Sequence, residues 1–481
     1  MEAKTKLGGS AKLGYALGAV GKDMVYMLSA SYILYYYQDI LGVEAWIMGV
    51  ILLIARVFDA FNDPIMGILV AKTKTKWGKF RPWLLIGTIT NAIILVLMFS
   101  CPPTLSGSGL VAYAAVFYII WGVTYTMMDI PYWSMIPAFT EGGKEREGLT
   151  TLARSAAGVG SAIVSIFAII IVQAIGKTVG GADATAKQVE IYGFKYLSII
   201  IAVLFVVFIV ICCITVKERS SVDMKTATVG EMFKALLSND QAMAVVITIV
   251  CINTALYITS NLVLYFFKYD IGGAAWYGNY TLFNTVGGGV QILSMMILYP
   301  LMRKFFNNIK IFYIGAAMSI IGYVILLLLA AVFNTENIYP FLIPGILIMA
   351  TAGMNNVIVT VFLANTVDYG ELKNNRRDES VIFSMQTFVV KLASGIAALI
   401  ASIALSVFHL SDAVATEAEQ TMDLSLNVPE ASKMGLRFVM TLIPIFVLIF
   451  AIVWFKNKYI LTDEKVEQIS AEVKAKRKEK A

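Results

Sequence analysis

About twelve stretches of mostly apolar residues, each long enough to cross a bilayer as a helix, alternate with short polar segments along the chain. A hydrocarbon core about 30 Å thick needs about 20 apolar helical residues to cross it. Because lipid cannot satisfy backbone hydrogen bonds, such spans must be helices. The pattern predicts an all-α integral membrane protein with spans at 14–39, 45–71, 83–101, 109–138, 152–176, 191–216, 241–269, 275–301, 311–333, 338–365, 381–408 and 434–456.

The longest polar segment, at about 217–240, divides these spans six and six. The predicted domains are an N-terminal six-helix bundle (1–216), a cytoplasmic middle loop (217–240), a C-terminal six-helix bundle (241–456) and a cytoplasmic tail (457–481). The two halves show a weak internal similarity. The charged loops at 140–148 and 367–380 each precede a helix with one basic residue, Arg154 in the first half and Lys391 in the second. Two bundles around a midplane site are a recurrent transporter architecture.

Basic residues indicate the orientation of the chain. They are concentrated in every second segment between the spans, as in 72–81, 217–234 and 456–480. Loops rich in Lys and Arg stay in the cytoplasm, so we expect a multi-pass protein of the cell membrane with both termini cytoplasmic. The middle loop and the tail are expected to form amphipathic helices. These serve either as tethers between the bundles or, as the family resemblance described below implies, as a surface for a cytoplasmic regulatory protein.

Composition limits the class of protein further. Of the 481 residues, 58% are hydrophobic and 15% are charged, whereas soluble domains usually carry about 25% charged residues. Most of the surface therefore faces lipid. The net charge of +6 lies in short loops and the tail, which argues against nucleic-acid binding. His409 is the only histidine, and the four cysteines lack metal-ligand spacing, so neither a His- or Cys-based metal site nor a disulfide framework is expected.

Ionisable residues within the predicted spans are the strongest functional signal. Each costs about 2.5–3.5 kcal/mol at the centre of a membrane helix on insertion scales, so each is a functional candidate. The first half carries most of them and the second half mainly Lys391, which predicts that the N-terminal bundle holds the ion chemistry. The candidates in the first half are Lys22, Asp23, Arg56, Asp59, Asp63, Asp129 and Arg154.

In the second span, spacings of three and four place Arg56, Asp59 and Asp63 on one helix face, with Asn62 beside them. Two carboxylates one turn apart repel each other unless one is protonated or a cation lies between them. Such oxygens suit a hard cation, and Thr126 offers a further hydroxyl. The pattern predicts a cation site. The alternative is internal ion pairing, in which bases such as Arg56 neutralise the acids and hold helices together.

In the fourth span, Asp129 lies four residues after Tyr125 and four before Trp133, which makes a stripe of one acid between two aromatic residues. Sugars offer hydroxyls to a carboxylate and an apolar face to a ring, and bonds to ionised acids are about twice as strong as neutral ones. The alternative is that both aromatics are core residues.

Three bases are expected to be buried: Lys22, Arg154 and Lys391. They are expected to bind sugar hydroxyls or the carboxylate of a uronate. The alternative is that they pair with the buried acids.

Six motifs occur in order along nearly the whole chain: GKDM (21–24), ARVFDAFNDPIMG (55–67), KWGKFRPW (76–83), WGVTYTMMDIPYWS (121–134), VDYGELK (367–373) and SMQTFVVK (384–391). With these the sequence resembles the melibiose permease-like branch of the glycoside–pentoside–hexuronide:cation symporters, in the major facilitator superfamily. The resemblance implies a major facilitator fold and alternating access. It also implies import of a sugar or glycoside coupled to Na⁺, with Li⁺ or H⁺ as substitutes, and no cofactor.

The resemblance also implies which residues form each site. The implied cation pocket is Asp59, Asn62, Asp63 and Thr126. The implied sugar site is Lys22, Asp23, Tyr125, Asp129, Trp133, Arg154, Gln386, Thr387 and Lys391. The chain departs from the family pattern at Asn355 and Asn356, where aromatic residues are expected, so the resemblance does not fix which sugar is carried.

Other classes fit the sequence less well. A membrane prenyltransferase needs a second acid-rich motif, an ATP-driven pump needs a phosphate-binding GxxxxGK[ST] loop, and a channel needs a charge ring or filter loop; the sequence has none of these. The protein is therefore expected not to be an enzyme. The alternatives that stay open are a proton-coupled sugar or hexuronide symporter and a proton-driven exporter with the same fold.

Overall fold

The computed structural model describes residues 7–136, 143–181, 183–216, 229–273, 276–333, 337–374, 379–410 and 424–480, with some helical side chains excepted. These residues are almost entirely helical, and the one β-bridge in the described ranges joins Thr75 and Gly78. They form two compact units that divide near residue 226. This boundary falls within the segment 217–240 that the sequence analysis assigned to the middle loop.

The first unit contains six long helices. They are α1 (Gly9–Tyr35), α2 (Ala45–Lys72), α3 (Arg81–Met98), α4 (Gly107–Ser134), α5 (Gly143–Gly180) and α6 (Ala186–Thr215). Helix α1 continues into a π-helical turn, Tyr36–Ile40. It packs on α5 and α6, while α4 packs between α2 and α3. Helices α1, α2, α4 and α5 therefore carry the predicted site residues of the first half.

The second unit begins with a short helix, α7 (Val229–Ser238), within the predicted middle loop. The further helices are α8 (Asp240–Tyr265), α9 (Trp276–Leu293), α10 (Tyr299–Arg303), α11 (Asn308–Leu328), α12 (Tyr339–Asn374), α13 (Glu379–Val407), α14 (Glu430–Lys458) and α15 (Asp463–Lys480). π-Helical turns extend α8 (Phe266–Ile271) and α11 (Leu329–Phe333), and a third, Ser294–Leu298, joins α9 to α10. Helix α8 packs on α12, α13 and α14.

The predicted all-helical membrane fold is confirmed. In the described part of the chain, eleven helices are long and apolar enough to span a bilayer. Helix α1 is not among them, because Lys22, Asp23 and several small or polar residues lower its hydropathy. Two helices extend furthest beyond their predicted spans, since α5 begins at Gly143 and α12 ends at Asn374. These ends are polar, and a hydrophobicity pattern cannot detect them.

Close packing fixes the position of α4 against α3. A Cβ added to Gly87 would lie 2.8 Å from the backbone nitrogen of Met128, so only glycine permits this approach. One turn further along α3, the buried Asn91 donates to the Trp121 carbonyl and to the Thr124 hydroxyl, both at 2.9 Å. Helix α4, which carries residues of both predicted sites, is therefore held firmly on its α3 side.

Candidate functional site

Lys22 is the centre of a charged cluster between α1 and α4. Its Nζ lies 2.8 Å from Oδ1 of Asp129 and 2.9 Å from Oδ2 of Asp23, and it donates to the Tyr125 hydroxyl at 3.2 Å. The Lys22 side chain is 5% exposed, whereas that of Asp129 is 28% exposed. A buried ammonium with two carboxylates is well compensated. The open side of Asp129 therefore remains able to accept hydrogen bonds from a ligand.

Trp133 and Arg154 form the adjoining wall of this cluster. The Trp133 indole donates from Nε1 to Oδ1 of Asp129 at 3.1 Å. The guanidinium of Arg154, on α5, lies over the indole with Cζ 4.0 Å from the ring centroid, a cation–π contact. Arg154 is exposed, so the expectation that it is buried was wrong; one face of its guanidinium lies on Trp133 and the rest stays open.

The structure thus brings together six of the predicted sugar-site residues within the first unit: Lys22, Asp23, Tyr125, Asp129, Trp133 and Arg154. Lys391 lies on α13 of the second unit, where it is half-buried. The side chains of Gln386 and Thr387 lie outside the described residues. That these nine residues bind sugar stays a prediction.

The predicted cation ligands lie where α2 meets α4. Thr126 Oγ1 donates to Asp63 Oδ1 at 3.0 Å. One turn earlier on both helices, the Asp59 carboxylate rests against Gly122. Asn62 lies between the two acids in sequence, and its Nδ2 is buried with no hydrogen-bond partner in the described part of the chain. The arrangement offers two carboxylates and neutral oxygens along one seam between helices.

The alternative of internal ion pairing also finds support in this region. Arg56 Nη1 lies 3.3 Å from Asp59 Oδ2, and both side chains are buried. Among the described residues, no three Asp, Glu, His or Cys side chains cluster as a metal site would require. This donor set, with two carboxylates and one of them beside a guanidinium, suits a singly charged ion better than a divalent one.

A stack of aromatic rings on α4 connects the two clusters, and the sequence analysis did not identify it. Tyr118 and Trp121 stack with centroids 5.7 Å apart, and Trp121 and Tyr125 stack at 5.3 Å. Arg56 lies over Tyr118 at 5.8 Å, and Lys22 lies near Tyr125 at 5.6 Å. The spacings of three and four residues were visible in the sequence, but hydrophobicity alone assigns such aromatics to the core.

The comparisons with known proteins agree with this picture. The family model for MFS/sugar transport proteins matches residues 14–463. The chain belongs to this family. It is therefore a membrane transporter of the major facilitator fold and not an enzyme, as the sequence analysis predicted.

Two relatives and one solved structure illustrate the match. The transporter is 29% identical to an isoprimeverose transporter of Lactiplantibacillus pentosus over 82% of this chain and 80% of the relative. It is 28% identical to YagG, a putative glycoside/cation symporter of Escherichia coli K12, over 96% of this chain and 94% of the relative. A solved structure also matches: a bacterial homolog of the human lysosomal transporter Spinster in an inward-facing, unoccupied conformation. The TM-score is 0.67 and the identity is 13%, over 94% of this chain and 95% of the other chain. This match shows the shared fold alone.

The second unit of the transporter contains buried charge that the sequence analysis missed. Arg437 on α14 binds Asp270 through two contacts, at 2.6 and 2.8 Å, and Glu430 at 2.8 Å. Lys268 is also buried. These charged groups lie close to the ends of their helices, so they do not contradict the expectation that this half carries little charge at depth beyond Lys391. Arg437 stands in an otherwise apolar run, and this was the signal that could have revealed it.

The departures from the family pattern line a small pocket of the second unit whose walls are partly polar and partly apolar. Asn355 and Asn356 on α12 share it with Asn253 on α8 and Ser319 on α11. Oδ1 of Asn355 is buried and has no hydrogen-bond partner among the described residues. Carboxamides at these positions make this wall more polar than aromatic residues would.

Proposed function

We propose that the transporter imports a sugar or glycoside together with Na⁺ by alternating access, with Li⁺ or H⁺ able to replace Na⁺. The observation that carries the sugar assignment is the Asp129 carboxylate, which Lys22 and Trp133 hold in place while its other side stays open. The names of two relatives, an isoprimeverose transporter and a putative glycoside/cation symporter, support the same substrate class.

The chemistry of this cluster suits a polyol. A sugar hydroxyl donates to an ionised carboxylate such as Asp129, and a guanidinium such as Arg154 donates to a sugar oxygen. Charge-assisted bonds of this kind contribute about 1.5–3 kcal/mol each. The Trp133 ring adds an apolar face for the C–H side of a pyranose. In this proposal Asp23 accepts from a further hydroxyl. Gln386, Thr387 and Lys391, which belong to the second half of the sequence, are also proposed to bind the sugar.

The cation assignment rests on the seam between α2 and α4. Asp59, Asn62, Asp63 and Thr126 supply oxygen ligands of the kind that hard cations prefer. Two carboxylates one turn apart repel each other, so an ion between them lowers their free energy. In the absence of the ion, Arg56 pairs with Asp59 and takes part of this compensating role.

Coupling follows because one helix serves both sites. Gly122 and Thr126 of α4 contact the acids of α2, while Tyr125 and Asp129 belong to the Lys22 cluster. An ion that orders this seam therefore also orders the sugar ligands of α4. By linkage, sugar must then raise the affinity for the ion by the same factor. The proposed orientation has both termini in the cytoplasm, as the distribution of basic residues favours.

Uptake into liposomes tests the proposal. The purified transporter is reconstituted and offered a panel of galactosides, xylosides and hexuronides under a Na⁺ gradient, a Li⁺ gradient, a pH gradient or none. We expect uptake of one saccharide class that depends on Na⁺ and is lost in Asp59→Asn and in Asp129→Asn. Uptake driven by a pH gradient and unaffected by Na⁺ would refute the Na⁺ assignment. No uptake of any saccharide would refute the sugar site.

A further inference from the structure

Tyr15 on α1 and Tyr132 on α4 form a reciprocal pair. The Tyr15 hydroxyl donates to the backbone carbonyl of Tyr132, and the Tyr132 hydroxyl donates to the backbone carbonyl of Tyr15, both at 2.5 Å. The two rings stack, with their centroids 4.4 Å apart and their planes 8° apart. Both side chains are fully buried. This tyrosine clasp (Tyr15 and Tyr132) therefore joins the two helices by two hydrogen bonds and one stacked contact.

The tyrosine clasp lies close to the Lys22 cluster on both helices. Tyr15 is seven residues before Lys22, about two turns of α1, and Tyr132 is three residues after Asp129, about one turn of α4. Nζ of Lys22 also lies 5.9 Å from the centroid of the Tyr132 ring, within the range of a cation–π contact. A shift of α1 against α4 at the clasp would therefore also change the distance between Lys22 and Asp129.

Tyr132 also contacts Trp133 directly. Their rings meet edge to face, with centroids 5.2 Å apart and planes 88° apart. The Trp133 indole in turn donates to Asp129 and lies beneath the guanidinium of Arg154. Because edge-to-face pairs have a preferred geometry, the buried Tyr132 ring limits the orientations that the Trp133 indole can adopt. Tyr132 thus supports the proposed sugar site from behind.

The two hydroxyls of the clasp do more than close packing requires. A phenylalanine at either position would keep the stacked rings and would avoid burying a hydroxyl, which is costly unless it is hydrogen-bonded. Each hydroxyl bond of Tyr15 and Tyr132 ends on a backbone carbonyl, which cannot move independently of its helix. The hydroxyls therefore fix the approach and the register of α1 against α4.

We infer that Tyr15 and Tyr132 are positioning residues, whose reciprocal hydroxyl bonds set the sugar affinity of the Lys22 cluster. They act by fixing the Trp133 indole and the approach of α1 to α4, and neither side chain needs to touch the sugar. The inference rests on the proposed sugar site. Binding groups must be held within about 0.5 Å of their productive geometry, and a clasp that has lost one of its two bonds holds them less closely.

The test uses Tyr15→Phe and Tyr132→Phe in the full-length purified transporter, each with and without Trp133→Phe. Each tyrosine variant removes one hydroxyl and keeps the ring. Tyr113→Phe is the matched control, because the Tyr113 hydroxyl, also on α4, donates to a backbone carbonyl of a neighbouring helix, that of Leu97 on α3, at 2.8 Å. The saccharide that the uptake panel selects from galactosides, xylosides and hexuronides is titrated calorimetrically at saturating Na⁺.

We expect Tyr15→Phe and Tyr132→Phe each to lower saccharide affinity at least about threefold, because a shift of about 0.5 Å already exceeds what a binding site tolerates. In the Trp133→Phe background the same changes should lower affinity clearly less, because the indole that the clasp positions is already gone. Tyr113→Phe should keep the affinity of the parent, although it loses a hydrogen bond of the same kind. A merely structural role of the clasp would give equal factors in both backgrounds.

Failure of the inference and failure of the proposed sugar site give different results. Unchanged saccharide affinity in Asp129→Asn refutes the sugar site itself. A loss in Asp129→Asn with parental affinity in both tyrosine variants overturns only the inference, as do equal factors with Trp133 and with Trp133→Phe. If Tyr132→Phe does not fold, Tyr15→Phe carries the same comparison, because it keeps every contact of the Tyr132 ring. If neither variant folds, the hydroxyls serve folding and the inference is overturned.

Discussion

Nζ of Lys22 on α1 lies 2.8 Å from Oδ1 of Asp129 on α4. This contact joins two helices through one buried cation, and Asp23 supplies a second carboxylate at 2.9 Å. If Asp129 loses its charge, the Lys22 ammonium still has the Asp23 carboxylate as a partner. The two acids therefore have different roles. Asp23 is able to maintain the charge balance of the cluster, and Asp129 is the more exposed acceptor.

Asp129→Asn tests this difference. We expect substrate affinity to fall at least about tenfold, equivalent to about 1.4 kcal/mol, because a charge-assisted acceptor is replaced by a neutral amide. Thermal stability should change much less, since Lys22 remains paired with Asp23. Calorimetric titration of the substrate measures the affinity, and Glu464→Gln, an exposed acid on α15, is the control. Unchanged substrate affinity in Asp129→Asn would contradict the assignment.

The Trp133 indole has two separable roles. Trp133→Phe keeps a ring beneath Arg154 and for a sugar, but it loses the hydrogen bond to Asp129. We expect Trp133→Phe to lower substrate affinity a few-fold, in line with about 1 kcal/mol for one hydrogen bond. We expect Trp133→Ala, which removes the ring as well, to lower substrate affinity clearly more. Trp46→Phe, which removes an exposed indole bonded to Glu44, is the matched control. Equal losses of substrate affinity in Trp133→Phe and Trp133→Ala would exclude a role for the aromatic ring in sugar binding.

The aromatic stack on α4 predicts a specific effect on coupling. Trp121 lies between Tyr118, near Arg56, and Tyr125, near Lys22. Trp121→Leu should reduce the factor by which Na⁺ raises substrate affinity, because coupling depends on packed elements that both sites bias. Phe117→Leu, on the same helix but outside the stack, should leave that factor unchanged. If Trp121→Leu leaves the factor unchanged, the stack does not carry the coupling.

The ion pair between Arg437 and Asp270 predicts an effect on stability. Removing one partner of a buried pair costs up to about 3–5 kcal/mol, and here it leaves the buried Arg437 with only Glu430, whose side chain is 61% exposed. Asp270→Asn should therefore lower the melting temperature of the purified transporter substantially. Asp463→Asn, which breaks the more exposed pair with Arg303, should lower it little. Similar melting temperatures for the two variants would mean that the buried pair is not a stabilising element.

How well the sequence predicts a contact depends on how far apart the two contacting residues lie in the sequence. The hydrophobic pattern predicts the helices, and the four-residue spacing of Tyr125, Asp129 and Trp133 places them together because neighbours on one helix face are fixed by its geometry. Arg437 and Asp270 are 167 residues apart, so only tertiary packing reveals their contact. The contact of Gly122 with Asp59 is equally invisible in sequence, because it depends on how closely α2 approaches α4.

The most direct test of the central claim is a pair of titrations on the same purified transporter. Substrate affinity is measured at zero and at saturating Na⁺, and Na⁺ affinity is measured at zero and at saturating substrate. We expect each ligand to raise the affinity for the other by the same factor, and we expect that factor to fall to one in Asp59→Asn. Substrate affinity that is identical at zero and saturating Na⁺ in the parent would contradict it.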